Sequence, residues 1–352
     1  MVRAKDIVIT SDMLNKIAEI DRFAGSWSAD ELKLTPADLK SMKRVATIES
    51  VGSSNRIEGN KMTDAEIEAL FSHINKKSFS SRDEEEVAGY SDLINTIFEN
   101  YEDIPLTENY IKQLHQILLK YSQKDERHRG EYKTDTNRVA AYDASGREIG
   151  TIFETAAPFD TPRLMRELIQ WTNDTLGDRF LHPLIVIGVF IVHFLSVHPF
   201  LDGNGRLSRA LTVLLMLKSK YGYMPYASME SVIEANKDAY YRALRGTQKT
   251  IWSDKTDYEP WLSFFVTSLQ KQKRALENKI QKLQKANVDT LSSTARQILD
   301  LFSGTAELTM AELVRKTGKT EITIRKSVQN LVKKGFLTKL GTTRGAFYTI
   351  RK

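Results

Sequence analysis

The sequence predicts a mainly α-helical protein with one small β-hairpin in its body and a winged helix-turn-helix at its C-terminal end. Three observations carry that prediction. Apolar residues recur at helical spacing over long stretches, while strand-like alternation is scarce. One run, "LIVIGVFIVHFLSV" (184–197), is 14 residues long and almost wholly apolar; it is too short to span a bilayer and reads as a buried helix. Residues 291–352 offer three short helical patterns followed by strand, turn and strand, the arrangement of a winged helix.

The elements follow in order. Residues 37–57 read as a helix stopped by Gly59. Residues 63–74 open with Thr63 and carry Glu66 three positions later, a capping box. Residues 83–100, 107–121 and 162–176 are further helices. Between the last two, "RVAAYDASGREIGTIFET" (138–155) alternates around Asp143-Ala144-Ser145-Gly146 and predicts a hairpin. Apolar helices over 183–197 and 206–220 flank a polar, glycine-containing turn. Residues 229–246 and 259–286 complete the helical body. At the C-terminal end, "STARQILDLF", "TMAELVRKTG" capped by Thr309, and "TEITIRKSVQNLVKKG" capped by Thr320 and closed by Gly335 are the three helices. "FLTKL" and "AFYTI" are the strands of the wing.

Length and composition bound the function. A chain of 352 residues with 41% hydrophobic and 27% charged residues is long enough for two or more domains with a sizeable core. It contains no cysteine, which excludes disulfides and thiolate metal sites and fits a reducing, cytoplasmic setting. The N-terminus lacks the apolar core of a signal peptide. Charge is divided unevenly. Residues 271–352 hold 18 Lys+Arg against 6 Asp+Glu, net +12, whereas residues 1–270 are net −6. An acidic body and a basic tail read as separate modules.

The turn between the two apolar helices, "HPFLDGNGRLSR" (198–209), concentrates the chemistry. Gly203-Asn204-Gly205 lets backbone N–H groups turn towards a ligand, and the helix that follows presents further free N–H groups and the positive end of its dipole. Arg206 and Arg209, three apart, share a face and suit phosphate oxygens. Asp202 at the lip can hold Mg²⁺ together with substrate phosphates. His198 can take a proton from a hydroxyl. A P-loop is excluded for want of Gly-Lys-Ser/Thr, and a dinucleotide fingerprint for want of a third glycine. His193, His198 and Asp202 are a weaker grouping for a metal, because five-residue histidine spacing misses one helix face.

The stretch resembles, at every defined position, the Fic family signature His-x-Phe-x-Asp/Glu-Gly-Asn-Gly-Arg-x-x-Arg. The resemblance implies a Fic-fold helical core within residues 1–270 and transfer of AMP from Mg-ATP to a Ser, Thr or Tyr hydroxyl of a protein; some relatives use another nucleotide donor. It implies that His198 is the base, Asp202 the Mg²⁺ ligand, Gly203, Asn204 and Gly205 the anion hole with the Asn204 side chain helping, and Arg206 and Arg209 the holders of the outer phosphates. Phe200 is implied as a buried anchor, and the hairpin near 147–157 as the flap that aligns the target segment. Tyr241 and Gln248 fall about where the family contacts adenine, with Gln248 departing from the usual asparagine.

A second stretch, "SSNRIEGN" (53–60), has Glu58 at the end of a helix, against the dipole. It resembles the family's inhibitory motif, Ser/Thr-x-x-x-Glu-Gly/Asn, through Ser54, Glu58 and Gly59. The resemblance implies that Glu58 pairs with Arg209, that Ser54 orients it, and that ATP then sits badly for attack.

The expected domains are 1–100, an N-terminal helical region with the inhibitory helix; 101–270, the catalytic core; 271–290, a basic helical linker; and 291–352, the winged helix. In the last, Ile322, Ile324, Val328, Leu331 and Val332 are expected on the buried side of the third helix. Thr323, Lys326, Gln329 and Lys333 are expected to face out, with Arg344 in the wing. Expected partners are ATP, a target protein or the chain itself, and DNA or a protein for the winged helix; a homodimer fits the family, and no membrane partner is expected. A DNA-binding transcription regulator is the rival reading of the whole chain, and it leaves the 198–209 stretch without a role.

Overall fold

The computed structural model describes residues 2–28, 32, 34–72, 79–142, 148–289, 291–341 and 346–350, with backbone alone for 138–142, 148–152, 286–289 and 304. The chain divides into two compact units, Met1–Ala24 with Arg44–Lys273, and Gly25–Lys43 with Arg274–Lys352. Residues 25–43 thus group with the C-terminal unit, although the sequence reading kept 1–100 together.

The first unit is built around one buried helix. Its helices are α1 (Ser11–Gly25), α2 (Pro36–Ile57, residues 44–57 in this unit), α3 (Asp64–Ser72), α4 (Arg82–Asn100) and α5 (Glu108–Leu118). The hairpin β1 (Arg138–Tyr142) and β2 (Glu148–Glu154) follows, then α6 (Thr161–Asp178), α7 (Pro183–Val197), α8 (Asn204–Lys218), α9 (Met229–Glu234), α10 (Lys237–Gln248) and α11 (Glu259–Asp289, residues 259–273 in this unit). Every residue of α7 from Leu184 to Val197 is buried, as its apolar run requires. Helices α6, α8 and α10 pack on it. At Gly188 the approach is close enough that a Cβ would lie 2.7 Å from Leu262, and Trp261 Nε1 donates to the Gly188 carbonyl at 2.7 Å. His193 is spent in this core. Its Nε2 lies 2.7 Å from the Tyr258 hydroxyl, and burial pushes the ring down to about 3. It is a core histidine and takes no part in a metal grouping with His198 and Asp202.

Most elements fall where the sequence places them, including the Thr63–Glu66 box, in which Thr63 N donates to Glu66 Oε2 at 2.8 Å. The stretch 229–246 is a correction. It is two helices, because the chain leaves helical geometry at Asn236, whose side chain donates back to the Val232 carbonyl at 2.7 Å. The hairpin is antiparallel, pairing Arg138 with Glu154 through Tyr142 with Glu148. Its expected tip, Asp143–Gly146, lies outside the described residues.

The second unit contains α12 (Ser293–Asp300), β3 (Glu307–Thr309), α13 (Met310–Thr317), α14 (Glu321–Lys333), β4 (Leu337–Leu340) and β5 (Phe347–Ile350). The sheet order is β3-β5-β4, antiparallel throughout. This is a winged helix with a third strand that the sequence reading missed. Thr309 and Glu312 form a complete capping box. Thr320 does not cap α14 with its side chain; its hydroxyl pairs with that of Thr323 at 2.9 Å. Ile324, Val328 and Leu331 are buried, whereas Ile322 is 82% exposed, a correction to its expected placement. It stands two residues from Ile324 and hence on the other side of the helix. Thr323, Lys326, Gln329 and Lys333 are exposed, and Arg344 lies outside the described residues.

Candidate active site

Residues 198–203 join α7 to α8 and form the floor of the site. Gly203 sits at φ +78° before the first turn of α8, and a Cβ there would also meet Leu118 at 3.0 Å. The first ladder bond of α8 runs from Leu207 N to the Gly203 carbonyl at 2.8 Å, which leaves the amides of Asn204, Gly205 and Arg206 outside the ladder. The Asn204 side chain closes the loop instead of reaching outward. It accepts from Phe200 N at 3.0 Å and donates to Phe200 O at 2.7 Å. Both polar groups of that side chain are thus engaged within the loop. Phe200 is fully buried and stacks on His115, 3.8 Å between ring centroids.

Both arginines are buried and incompletely paired. Arg206 is 2% exposed; its Nη2 lies 3.3 Å from Asp202 Oδ1 and its Nη1 forms an ion pair with Glu86 Oε2 at 3.6 Å, while its Nε has no hydrogen-bond partner among the described residues. Arg209 is 5% exposed; its Nε donates to Ser54 Oγ at 2.8 Å and its Nη2 to Ser54 O at 2.9 Å and to Glu58 Oε1 at 2.8 Å. Its Nη1 is unpaired. Burial is the largest single influence on Arg209 and opposes its charge, but Glu58, Tyr240 and Tyr90 together raise the guanidinium above its ordinary value. Unpaired buried donors are costly, so these N–H groups are arranged for an anion.

Glu58 reaches the same place from the other side. It follows the last residue of α2, where Gly59 at φ +101° turns the chain and Asn60 N returns to the Asn55 carbonyl at 3.1 Å. Arg56 anchors this end, with Nε and Nη2 on Glu234 at 2.7 and 3.1 Å and Nη1 on Asp64 at 2.9 Å. A Cβ on Gly205 would lie 2.1 Å from Glu58 Oε1. The carboxylate is therefore disfavoured by its own helix end and favoured by the first turn of α8. It lies against the first turn of the anion cradle.

His198 occupies the C-cap of α7 in the left-handed region, φ +52°, ψ +61°. For a residue with a Cβ that conformation costs about 1–2 kcal/mol, so its surroundings must impose it. Its Nδ1 lies 3.3 Å from the Leu195 carbonyl; since a carbonyl only accepts, Nδ1 carries the proton and Nε2 keeps a lone pair. Burial first, and the Lys133 ammonium second among the lowering influences, push the ring down to about 4. His198 is thus neutral and basic at neutral pH.

Asp202 Oδ1 accepts from Gly203 N at 2.5 Å and Oδ2 from Arg82 Nη2 at 3.3 Å. Burial would raise its carboxyl, but Arg206, the Gly203 N–H and Arg82 hold it below the usual range. An ionised, part-exposed carboxylate at the mouth of a phosphate cradle fits Mg²⁺, which binds through one or two carboxylates and substrate phosphates. No group of three or more His, Asp or Glu side chains that could hold a metal by themselves occurs among the described residues.

His198 and residues 202–206, but not Arg209, which lies behind Glu58, border a cavity of about 160 Å³, with Glu58, Tyr240, Tyr241, Leu244 and Gln248 in its wall. That is below the ~300–1,000 Å³ usual for small-molecule sites. Tyr241 and Gln248 both line this cavity, and Gln248 Nε2 donates to Ser196 Oγ at 3.3 Å. Sequence reasoning missed His115, whose Nδ1 accepts from Gly130 N at 2.8 Å and whose Nε2 then donates to the Asp202 carbonyl at 3.0 Å. Burial pushes this ring down to about 4. It missed Lys133 and Asn137 as well. None of the three stands in a local motif.

Two apolar helices joined by a glycine-containing turn with two buried arginines, and a hairpin beside them, define the class of helical domain. Residues 105–216 match the model of the Fic/DOC family, and residues 291–338 that of winged helix-turn-helix DNA-binding domains. The chain carries a Fic/DOC domain followed by a winged helix-turn-helix domain. The protein adenylyltransferase Fic of Drosophila willistoni is 25% identical over 271 residues, 76% of this chain and 49% of that protein. The chain spans about half the length of the curated relatives it matches. Among solved structures, a Fic family protein from Desulfovibrio desulfuricans G20 has the same fold with TM-score 0.62 at 21% identity, over 98% of this chain and 97% of that one. A Fic domain-containing signalling protein from Bacteroides thetaiotaomicron gives 0.60 at 24% identity, over 76% and 97%. No described helix is long and apolar enough to cross a membrane.

Proposed function

We propose that this chain is a protein adenylyltransferase that moves AMP from ATP to a Ser, Thr or Tyr hydroxyl, and that Glu58 holds it in check. The observation that carries the reading is the Glu58 carboxylate lying against the first turn of α8, 2.8 Å from Arg209 Nη2, where Arg206 Nε and Arg209 Nη1 have no hydrogen-bond partner among the described residues. With Glu58 withdrawn, the amides at the start of α8, Arg206 and Arg209 take the donor's phosphates. His198 Nε2 accepts the proton of the target hydroxyl. Its oxygen bonds to the α-phosphorus, the bond from that phosphorus to the bridging oxygen breaks, and pyrophosphate leaves. Asp202 would hold Mg²⁺, which supplies charge neutralisation on the phosphates. The hairpin lies beside the loop and is suited to align an extended target segment by strand pairing. Tyr241 and Gln248 border the place for the base, and they leave CTP, UTP or GTP as alternative donors.

Incubating Glu58→Gly protein with each nucleoside triphosphate and reading intact mass and pyrophosphate tests this. A gain of one AMP with ATP supports it. Gain of another nucleotide keeps the chemistry and changes the donor. Failure of every donor on a folded protein, with no pyrophosphate from added hydroxyl peptides, overturns it.

The winged helix supports a second, compatible reading. Its match is to a DNA-binding family, and Lys326 and Lys333 stand exposed on α14, so duplex DNA is a candidate partner.

A further inference from the structure

Lys133 is 3% exposed, and all three protons of its ammonium group are used. Nζ lies 2.7 Å from Asn137 Oδ1, 2.9 Å from Thr155 Oγ1 and 2.9 Å from the Val197 carbonyl. None of these partners carries a charge. Its backbone N–H donates to the Pro199 carbonyl at 2.9 Å. One residue therefore holds the carbonyls on either side of His198. Asn137 completes the grip, its Nδ2 3.3 Å from the His198 carbonyl and 2.8 Å from that of Phe200. Four consecutive carbonyls, 197 to 200, are received by the five residues 133–137.

The same hub joins the two feet of the hairpin. Asn137 immediately precedes β1 and Thr155 immediately follows β2. The Thr155 hydroxyl lies 2.7 Å from the Asn137 carbonyl and 2.6 Å from its Oδ1, and Ala156 N donates to the Ser196 carbonyl at 3.3 Å. An uncharged core would be cheaper than a buried ammonium group that has no counter-ion among the described residues. Burial drives Lys133 down to about 8, so it keeps its charge at the expense of its proton affinity.

We propose that Lys133, Asn137 and Thr155 are positioning residues that impose the left-handed conformation of His198 and register the hairpin, and with it a target hydroxyl, against the His198 ring. The proposal rests on the adenylyl-transfer reading for its kinetic consequence, but its structural part stands apart from it. Losing the hub lets His198 relax and shifts the base relative to the hairpin. A displacement of ~1 Å in such a pair costs on the order of 100-fold in rate. The phosphate cradle lies beyond Phe200, closed by Asn204, and nucleotide binding should be spared.

The test compares Lys133→Met, Asn137→Asp, Thr155→Val and Thr155→Ser, each in the Glu58→Gly protein. Asn137→Asp keeps acceptors for Lys133 and Thr155 but loses the donor to the 198 and 200 carbonyls. The readouts are transfer rate, affinity for a non-hydrolysable ATP analogue, and the ¹⁵N titration of His198, assigned by its loss in His198→Ala. The expected result is a kcat lowered about 10–100-fold in the first three, unchanged analogue affinity, an altered His198 titration, and recovery of the rate in Thr155→Ser. Unchanged rate and titration overturn the proposal. A matched fall in rate and analogue affinity, or a Thr155→Ser as impaired as Thr155→Val, shows general loosening and also overturns it. If Glu58→Gly transfers nothing, the functional reading fails, and the His198 titration alone decides the hub: moved in Asn137→Asp supports it, unmoved rejects it. Should Lys133→Met not fold, the Thr155 pair and Asn137→Asp carry the same decision.

Discussion

Glu58 Oε1 stands 2.8 Å from Arg209 Nη2 and would be 2.1 Å from a Cβ placed on Gly205. One carboxylate thus blocks both the second arginine and the second residue of α8. Ser54 shares the hold on Arg209, through its hydroxyl and its carbonyl. The side-chain part is separable. Ser54→Ala should release transfer by about tenfold, the worth of one hydrogen bond to a charged group, and less than Glu58→Gly. Equal release by the two variants, measured as initial rate of AMP incorporation, would show that Glu58 has no role beyond that of Ser54.

The state of His198 sets a pH profile. Its ring is pushed down to about 4, so it remains an unprotonated base through pH 5 and loses that role only as pH falls through the lowered value. The acid limb of kcat/KM for Glu58→Gly protein, which lacks the raising influence of Glu58, should lie well below the ordinary 6.5. A limb at 6–7 in a stopped assay with pH-independent controls contradicts the assignment.

Three histidines make the fold sensitive to acid. His115, His193 and His198 are held neutral down to about 4, 3 and 4, chiefly by burial. Unfolded, each takes up a proton near 6.5, so the unfolded chain binds more protons between about 4 and 6.5. Stability from these groups is complete above 6.5 and is lost as pH falls through that window. The Tm should fall steadily from pH 7 to pH 4.5, and His193→Phe should flatten part of the slope. A Tm constant over that range would contradict the burial of these rings.

The winged helix makes its own prediction. Binding to duplex DNA should weaken linearly in log–log form with salt, and Lys326→Ala should reduce the slope by about one and weaken binding alike on all sequences. Salt-independent binding, or none at 50 mM salt, removes DNA as the partner of α14.

Much of the fold could be read from the residues because their patterns are local. The continuous apolar run had only one outcome, a buried α7, and a glycine-containing turn before two arginines had to open a helix. Glu58 at the end of α2 was locally unfavourable, and the reason became visible only when the first turn of α8 stood opposite it. Boundaries failed where competing signals were weak. Asn236 interrupts an amphipathic pattern without glycine or proline, and β3 is three residues that run straight into the Thr309 cap. Ile322 was misplaced because hydrophobicity was weighed before helical angle. The supports of His198 were illegible for a different reason. His115, Lys133 and Asn137 lie about 60–85 positions from their loop partners, and each residue is ordinary in its own neighbourhood; only the folded chain makes them one network.

The site is complete, and Glu58, with Ser54 beside it, is the main hold that keeps Arg209 from the donor. The measurement is AMP incorporation from α-phosphate-labelled Mg-ATP by wild type, Glu58→Gly, Glu58→Gly with Arg209→Ala, and Glu58→Gly with His198→Ala. Weak labelling is expected in wild type and a rise on the order of 100-fold in Glu58→Gly. That rise is lost without Arg209, and no labelling occurs without His198. Wild type and Glu58→Gly labelled alike, or a Glu58→Gly rise that survives loss of Arg209, would contradict this role of Glu58.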